Sequence, residues 1–508
     1  MPYRHVSLAL LPIVVLAACG EDQSPTAPSS PSGPSAEVAA AAAGQRVVNS
    51  LADPGDGTCN AHQCTLREAI EASGTTAITF ASGLAGTITL ADADADGGAL
   101  NITTSVRITA PAAGITIRRR STDSPFRIVR VGPGAEVTLT RLTLRNGRTA
   151  PPGAGVLNLG RLTLVDCTVT GNTSGSTGGG IANVAVLTLT RTTVSNNTGV
   201  GVGGIDNGDG RLIATNSVVT RNHGDGLGSP GGTLKLTGSR FSDNTGTGVW
   251  EDRGGPSTLD HVSITGNGAG GYSLSHGNTT IAYSTIAGNS GGAGAGIFNS
   301  FDGHLTLSKS TVSGNSARGQ GGGIYNEDDN FARVGGSIGI VNSTVTGNSA
   351  QEGGGIFVDD NGSASVSVEN STVAFNTARL SGGGIANESF GEFPPVGIHN
   401  SIVAGNTAPT APDVRADATA TFSLIGDGTG SGLTNTGGNK VGRVAPNAGP
   451  IDPRLGALAD NGGATRTLAL LAGSPAIDAA SASGCPGKDQ RDVVRPRGTA
   501  CDMGSFER

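Results

Sequence analysis

Aromatic residues make up only 3% of the 508 residues, with a single tryptophan, Trp250, and two methionines. That scarcity excludes a core built on large rings, so whatever is buried must be aliphatic and small. Lysine is nearly missing: Lys235, Lys309, Lys440 and Lys488 are the only ones, and the formal net charge is −7. Without a basic face for phosphates, nucleic acid is excluded as a partner. No window carries a sustained helical apolar stripe, which argues against a helical domain. What the chain has in abundance is glycine, 84 residues of it.

The glycines punctuate a repeat. Thr168-Val-Thr-Gly-Asn172 returns as Ser310–Asn315, Ser343–Asn348, Ser371–Asn376 and Ser401–Asn406. An Asn follows the central apolar residue by three places at Asn172, Asn197, Asn222, Asn244, Asn267, Asn289, Asn315, Asn348, Asn376 and Asn406, spaced 22 to 33 residues apart. Self-similarity at such a period marks a solenoid. Within a unit, Leu162, Leu164 and Val169 alternate with polar residues, the pattern of short half-buried strands. Three strands per unit, stacked at the parallel-strand spacing of roughly 4.8 Å, give an all-β, right-handed parallel β-helix. The Asn residues are expected at turns, tolerating left-handed backbone and hydrogen-bonding to one another along the axis. A Ser, Thr or Cys two places before the apolar residue shares the inner face, and Cys167 in that column reads as a buried, inert thiol.

The flanks differ from the repeats. Residues 1–18 read as a lipoprotein signal peptide ending in Leu16-Ala-Ala-Cys19, which resembles a bacterial lipobox and implies a lipid anchor on Cys19. Residues 19–45 are a Ser/Pro/Ala-rich tether, expected to be disordered. Residues 46–95 form an N-terminal cap with the first strands, residues 96–410 the β-helix repeats, and residues 411–508 the last coils and a C-terminal cap. In an oxidising compartment Cys59 with Cys64, and Cys485 with Cys501, are expected disulfides.

Two stretches carry a family resemblance. Cys64-Thr-Leu-Arg-Glu-Ala-Ile70, preceded by Asp53, Asp56, Gly57 and Cys59, resembles the CSLREA domain of bacterial surface proteins, with Thr65 in place of the eponymous Ser. Gly473-Ser-Pro-Ala-Ile-Asp478, Asp489-Gln-Arg491, Arg495-Pro496 and Cys501-Asp-Met-Gly-Ser-Phe-Glu507 resemble the choice-of-anchor Q proteins. The resemblance implies a β-helix displayed at the cell envelope of a bacterium, at the outer membrane or surface, and implies no reaction. The physical reading of 66–72 is a short amphipathic helix closing the open end of the solenoid.

Candidate sites are sparse. The hydrolase set of N-T-D, D-D, G-H-G and R-I-K motifs is absent beyond Asp-Asp pairs and a loose Asn222-His-Gly-Asp-Gly226. Asp328, Asp329, Asp359 and Asp360 follow successive re-entry strands; stacked one coil apart, they would recruit Ca²⁺ or, as Asp329 with Asp360, act as a catalytic carboxylate pair. Trp250, followed by Glu251, Asp252 and Arg253 and with His276 or Tyr283 expected near it, suits stacking on a sugar ring at an outward-facing site. The reading is a monomeric cell-surface lipoprotein, a rigid non-catalytic rod for binding or adhesion to a polysaccharide or another cell-surface ligand. The alternative is a polysaccharide lyase or glycoside hydrolase working in a groove on its flank.

Overall fold

A computed structural model describes residues 44–91, 97–328, 335–360, 364–389 and 395–508. Signal segment and Cys19 lie outside these residues, as does the tether up to residue 43; Gln45 already opens the first strand, Gln45–Val48. The described chain is a right-handed parallel β-solenoid of about 13 turns.

Each turn contributes one strand to each of three parallel sheets. In one coil these are Arg161–Val165, Thr168–Thr170 and Ile181–Asn183. Register keeps like on like: Leu162 pairs with Leu187, Val169 with Val194, and Ile181 with Ile205. These aliphatics are fully buried and form one continuous core through the column. Each such side chain contributes roughly 1.5–3 kcal/mol by leaving water, so the column supplies what rings supply elsewhere.

The Asn side chains form a ladder inside the turn. Asn172 Nδ2 donates to Asn197 Oδ1 at 3.0 Å, and the same amide-to-amide bond recurs at 2.9–3.0 Å through Asn376 and Asn406. The second Nδ2 proton goes to a carbonyl of the preceding coil, as from Asn197 to Val169 O at 3.0 Å. The left-handed backbone expected of these Asn residues belongs instead to the residue before, Gly171 (φ 64°), Gly314 (φ 63°) or Gly347 (φ 65°). That is why the motif reads Gly-Asn: glycine takes the angle without strain and asparagine supplies the amide. The small-residue column is also a ladder, with Ser310 N donating to Ser343 Oγ at 3.1 Å and Ser343 N to Ser371 Oγ at 3.0 Å. Cys167 sits in it, buried and free, and burial pushes its thiol up to about 11.

At the N-terminus, the helix Leu66–Glu71 starts at Thr65, whose hydroxyl accepts from Glu68 N while Glu68 Oε2 accepts from Thr65 N at 2.8 Å. This reciprocal capping explains why Thr serves where Ser would. Arg67, buried, forks onto Asp53 at 2.8 and 3.0 Å and onto the carbonyls of Gly98 and Ala99. Cys59–Cys64 and Cys485–Cys501 are disulfide-bonded.

The disulfide-bearing C-terminal segment does not sit on the end of the column. It lies along the outer face of the second sheet: Gln490 Nε2 donates to Ser310 O at 3.1 Å, Thr344 Oγ1 to Gln490 Oε1 at 2.7 Å, and Ser505 N to Thr372 Oγ1 at 3.1 Å. Leu470, Met503 and Phe506 pack there on Ile402 and Leu424. The column itself ends at Lys440–Val441, with Leu433 and Val444 packed against the core.

Candidate functional site

Alternation along the strand Thr247–Glu251 sends Val249 inward, Trp250 outward and Glu251 inward again. Trp250 is half-buried; its ring lies over Gly228 of the preceding coil, where a Cβ would come within 2.7 Å of Nε1. Its indole N–H serves Asp225, a carboxylate whose pKa burial raises while the Thr247 amide and Trp250 oppose the shift. The tryptophan is thus engaged with its own coil neighbours.

Glu251 is the unexpected residue. It is 1% exposed and lies within the solenoid, where Tyr272 Oη donates to its Oε1 at 2.7 Å and Ser257 Oγ donates to its Oε2. Burial raises its pKa, opposed by the Ser257 and Tyr272 hydroxyls. The two-residue alternation that turns Trp250 out also turns Glu251 in, so this signal was present in the sequence.

Directly beyond, at the edge where the third sheet turns toward the first, side chains from three coils meet. Asp252 Oδ1 accepts from His276 Nδ1 at 2.6 Å, and Arg253 Nη1 lies 3.6 Å from Asp252. His276 stacks flat on Phe301, centroids 4.8 Å apart and planes 5° apart, and its Nε2 lies 3.9 Å from Asp302. Phe301 is 40% exposed at φ 55°, a left-handed angle that bulky residues rarely adopt. Sequence reading found Asp252, Arg253 and His276 and missed Phe301 and Asp302, which occupy the next coil's turn.

Farther along the same edge the acids do stack, though in another register from the one expected. Glu327 pairs with Asp359, and Asp359 with Glu388. One residue on, that ladder sets Asp328 beside Asp360. Asp329 lies outside the described residues, as does the side chain of Asp360; Asp328 is buried, and its amide donates to Asp359 O at 3.0 Å. Tyr325 Oη donates to Asp359 Oδ2 at 3.0 Å, and burial together with the Asp359, Glu327 and Glu388 charges drives its phenol upward. Tyr325 also lies in a stack with Phe298 and Phe357, centroids 5.3 and 5.6 Å apart, largely under the glycine loops. Among the described residues no group of three or more His, Cys, Asp or Glu side chains is arranged to hold a metal ion.

A second column of amides runs inside this edge. Asn158 Nδ2 donates to Asn183 Oδ1 and Asn183 Nδ2 to Asn207 Oδ1, both at 2.7 Å, and Asn207 Nδ2 reaches Ser229 Oγ at 3.1 Å. Glu251 and Leu274 then interrupt it in register, and it resumes from Asn299 to Asn326 at 2.7 Å. Its signature, an aliphatic residue followed two places later by Asn, was legible at Ile181-Ala-Asn183 and Ile324-Tyr-Asn326 but overlooked beside the longer ladder.

A family model described as a right-handed beta helix region matches residues 180–338. Among solved structures, the chain is similar to one described as the crystal structure of pectate lyase Pel9A, at 14% identity and a TM-score of 0.32, over 92% of this chain and 98% of that one. No curated protein matches the chain.

Proposed function

We propose that this chain is an envelope-anchored, non-catalytic rod, of the CSLREA and choice-of-anchor Q type, that binds carbohydrate along the edge running from Asp252. The observation that carries the ligand class is the Asp252–His276–Phe301–Asp302 cluster. A half-exposed ring offers an apolar face to the C–H face of a sugar, and carboxylates on either side accept its hydroxyl protons. Anchoring through lipid on Cys19 rests on the Leu16–Cys19 tetrad and on the Ser/Pro/Ala tether behind it.

A glycan array probed with the full-length chain tests the binding, with reducing-end and unsaturated-sugar assays run alongside, with and without Ca²⁺. Expected is binding without product release, weakened about tenfold by Phe301→Ala, the loss of one ring's contact of roughly 1–1.5 kcal/mol. Product release abolished by Asp252→Asn would instead establish an enzyme whose His276 is polarised by Asp252. The anchor is checked separately: globomycin should accumulate precursor, and a Cys19→Ala chain that stays firmly membrane-bound would refute it.

A further inference from the structure

The net charge of −7 is laid out unevenly along the chain. Residues 91–165 hold ten arginines against five carboxylates, three of these in 92–96, outside the described residues. Residues 241–410 hold fourteen carboxylates against five cations. The basic end is the one at which the column begins.

Alternation along the strands Ile115–Arg119 and Leu142–Arg145 turns the isoleucines and leucines inward and sets Arg118 and Arg145 on the outer face of the second sheet. The two stand directly opposite each other in register. Both are exposed, and Arg118 Nε donates to a hydroxyl, Thr89 Oγ1, at 3.1 Å. Where this sheet turns toward the third, Arg148 in the strand Arg148–Thr149 is exposed as well. It lies near enough to the buried Arg119 to join burial in lowering that residue's pKa, an effect Asp123 opposes. Glu136 is on the first sheet, in register with Arg161. Among the described residues no carboxylate pairs with Arg118, Arg145 or Arg148. Like charges directly opposite on neighbouring strands are destabilising. In the coils that follow, the same row reads Thr170, Ser195, Thr220 and Ser242, so the repulsion is confined to this end.

The basic face is also bare. The C-terminal segment covers the second sheet at Ser310 and Thr372 and reaches back to Tyr283, whose hydroxyl donates to Asp492 at 3.4 Å. Among the described residues its hydrogen bonds stop there, well short of the coils of Arg118 and Arg145. Between Val47 and Val184 no large apolar side chain of a described residue is exposed. This face therefore offers a partner charge without insertion. Position selects among anions. Gln45–Val48 opens the first sheet, and the coils of Arg118 and Arg145 are the third and fourth in its order, roughly 10–15 Å along the column. Residues 20–43 separate Cys19 from Gly44. An anchor on Cys19 thus holds this end within roughly 80–85 Å of a bilayer even at full extension.

We infer that the basic corner formed by Arg118, Arg145 and Arg148 docks on an anionic lipid surface, its guanidinium groups meeting headgroup phosphates. The inference rests on the anchor reading only for bringing a bilayer within reach; the contact itself needs neither lipid on Cys19 nor the carbohydrate edge. Because it is ionic, concentrated salt releases it, whereas an acyl anchor stays.

The experiment is co-sedimentation of the chain from Gly20 on, which holds every described residue and lacks signal and lipid, with phosphatidylcholine vesicles made with and without phosphatidylglycerol. Expected is binding to the phosphatidylglycerol vesicles alone in about 0.1 M salt, lost in about 1 M salt, where the screening length falls from roughly 10 Å to 3 Å. Arg118→Gln with Arg145→Gln should weaken it about 30-fold, near fivefold for each cation taken from an anionic surface. The melting temperature should hold or rise, because the pair repels. Arg145→Glu, which places a carboxylate opposite Arg118, should raise the melting temperature and weaken binding further. Arg318→Gln with Arg379→Gln removes the same charge from exposed positions in the acidic half and should leave binding unchanged. No binding to phosphatidylglycerol vesicles, or equal weakening by both pairs, overturns the inference. Polygalacturonate or duplex DNA retained where vesicles are not would give the arginines to another polyanion and overturn it too. Vesicle binding by this lipid-free chain together with a failed globomycin test would leave the basic corner standing and remove the anchor.

Discussion

Two columns of asparagine run through one solenoid and end differently. The turn ladder, Asn172 to Asn406, never misses a coil, and Asp413 Oδ1 closes it by accepting from Asn406 Nδ2 at 2.8 Å. The column beneath the next edge is broken by Glu251 and Leu274 and again by Val358, and at its last member, Asn387, the side-chain Nδ2 has no partner among the described residues. Uninterrupted repetition is what stability selects, since each amide bonds the next and a missing member leaves buried groups unpaired. Departures from the repeat are where other demands enter. The edge cluster stands over the first break.

The contrast can be broken most strongly at the centre of the intact ladder. Asn315→Leu removes the acceptor for both Asn289 N and Asn289 Nδ2 and the donor for Asn348 Oδ1. Equilibrium denaturation should show a loss on the order of 3–5 kcal/mol. Next comes the ladder's end. Burial lifts Asp413 from 3.8 to about 6, although Asn406 and Asp427 donate to it. Because the folded pKa is the higher, its contribution is full below about pH 4 and is lost as the pH rises through about 6, on the order of 3 kcal/mol in all. Denaturation at pH 4 and pH 7 should differ by that much more in the parent than in Asp413→Asn.

Smaller effects sharpen the contrast within the broken column. Asn299→Leu, which copies the natural Leu274 in the adjoining coil, gives up the bonds to Gly303 O and Asn326 Oδ1. It should cost about 2 kcal/mol, less than its counterpart in the intact ladder. Glu251→Gln is the mildest change. With burial holding Glu251 toward its neutral form, the isosteric amide should cost about 1 kcal/mol in thermal or chemical melts. A larger loss at pH 7 would mean that Glu251 is held ionised.

Most of the solenoid was legible because its signals are periodic: apolar residues, glycine turns and Asn recur in phase, and each occurrence reinforces the others. The role of Gly171 and its equivalents was misassigned to Asn because both residue types favour left-handed backbone, and sequence alone does not say which of two neighbours takes the angle. The candidate edge was half legible. Asp252, Arg253 and His276 stood out as charges near the lone tryptophan, but Phe301 joins them only through the coil stacking that sets its turn beside His276. That Asn387 Nδ2 has no partner among the described residues could not be read at all, since it depends on Ala416, 29 residues on, not being an asparagine.

The most direct measurement is a hydrogen-exchange footprint of the full-length chain with and without its strongest glycan from the array. Protection at 250–253, 274–277 and 299–303, with none at the turns holding Asn172 to Asn267, is the result expected if the broken column marks the ligand edge. Protection on the intact-ladder flank, with the 250–303 turns unchanged, would contradict it.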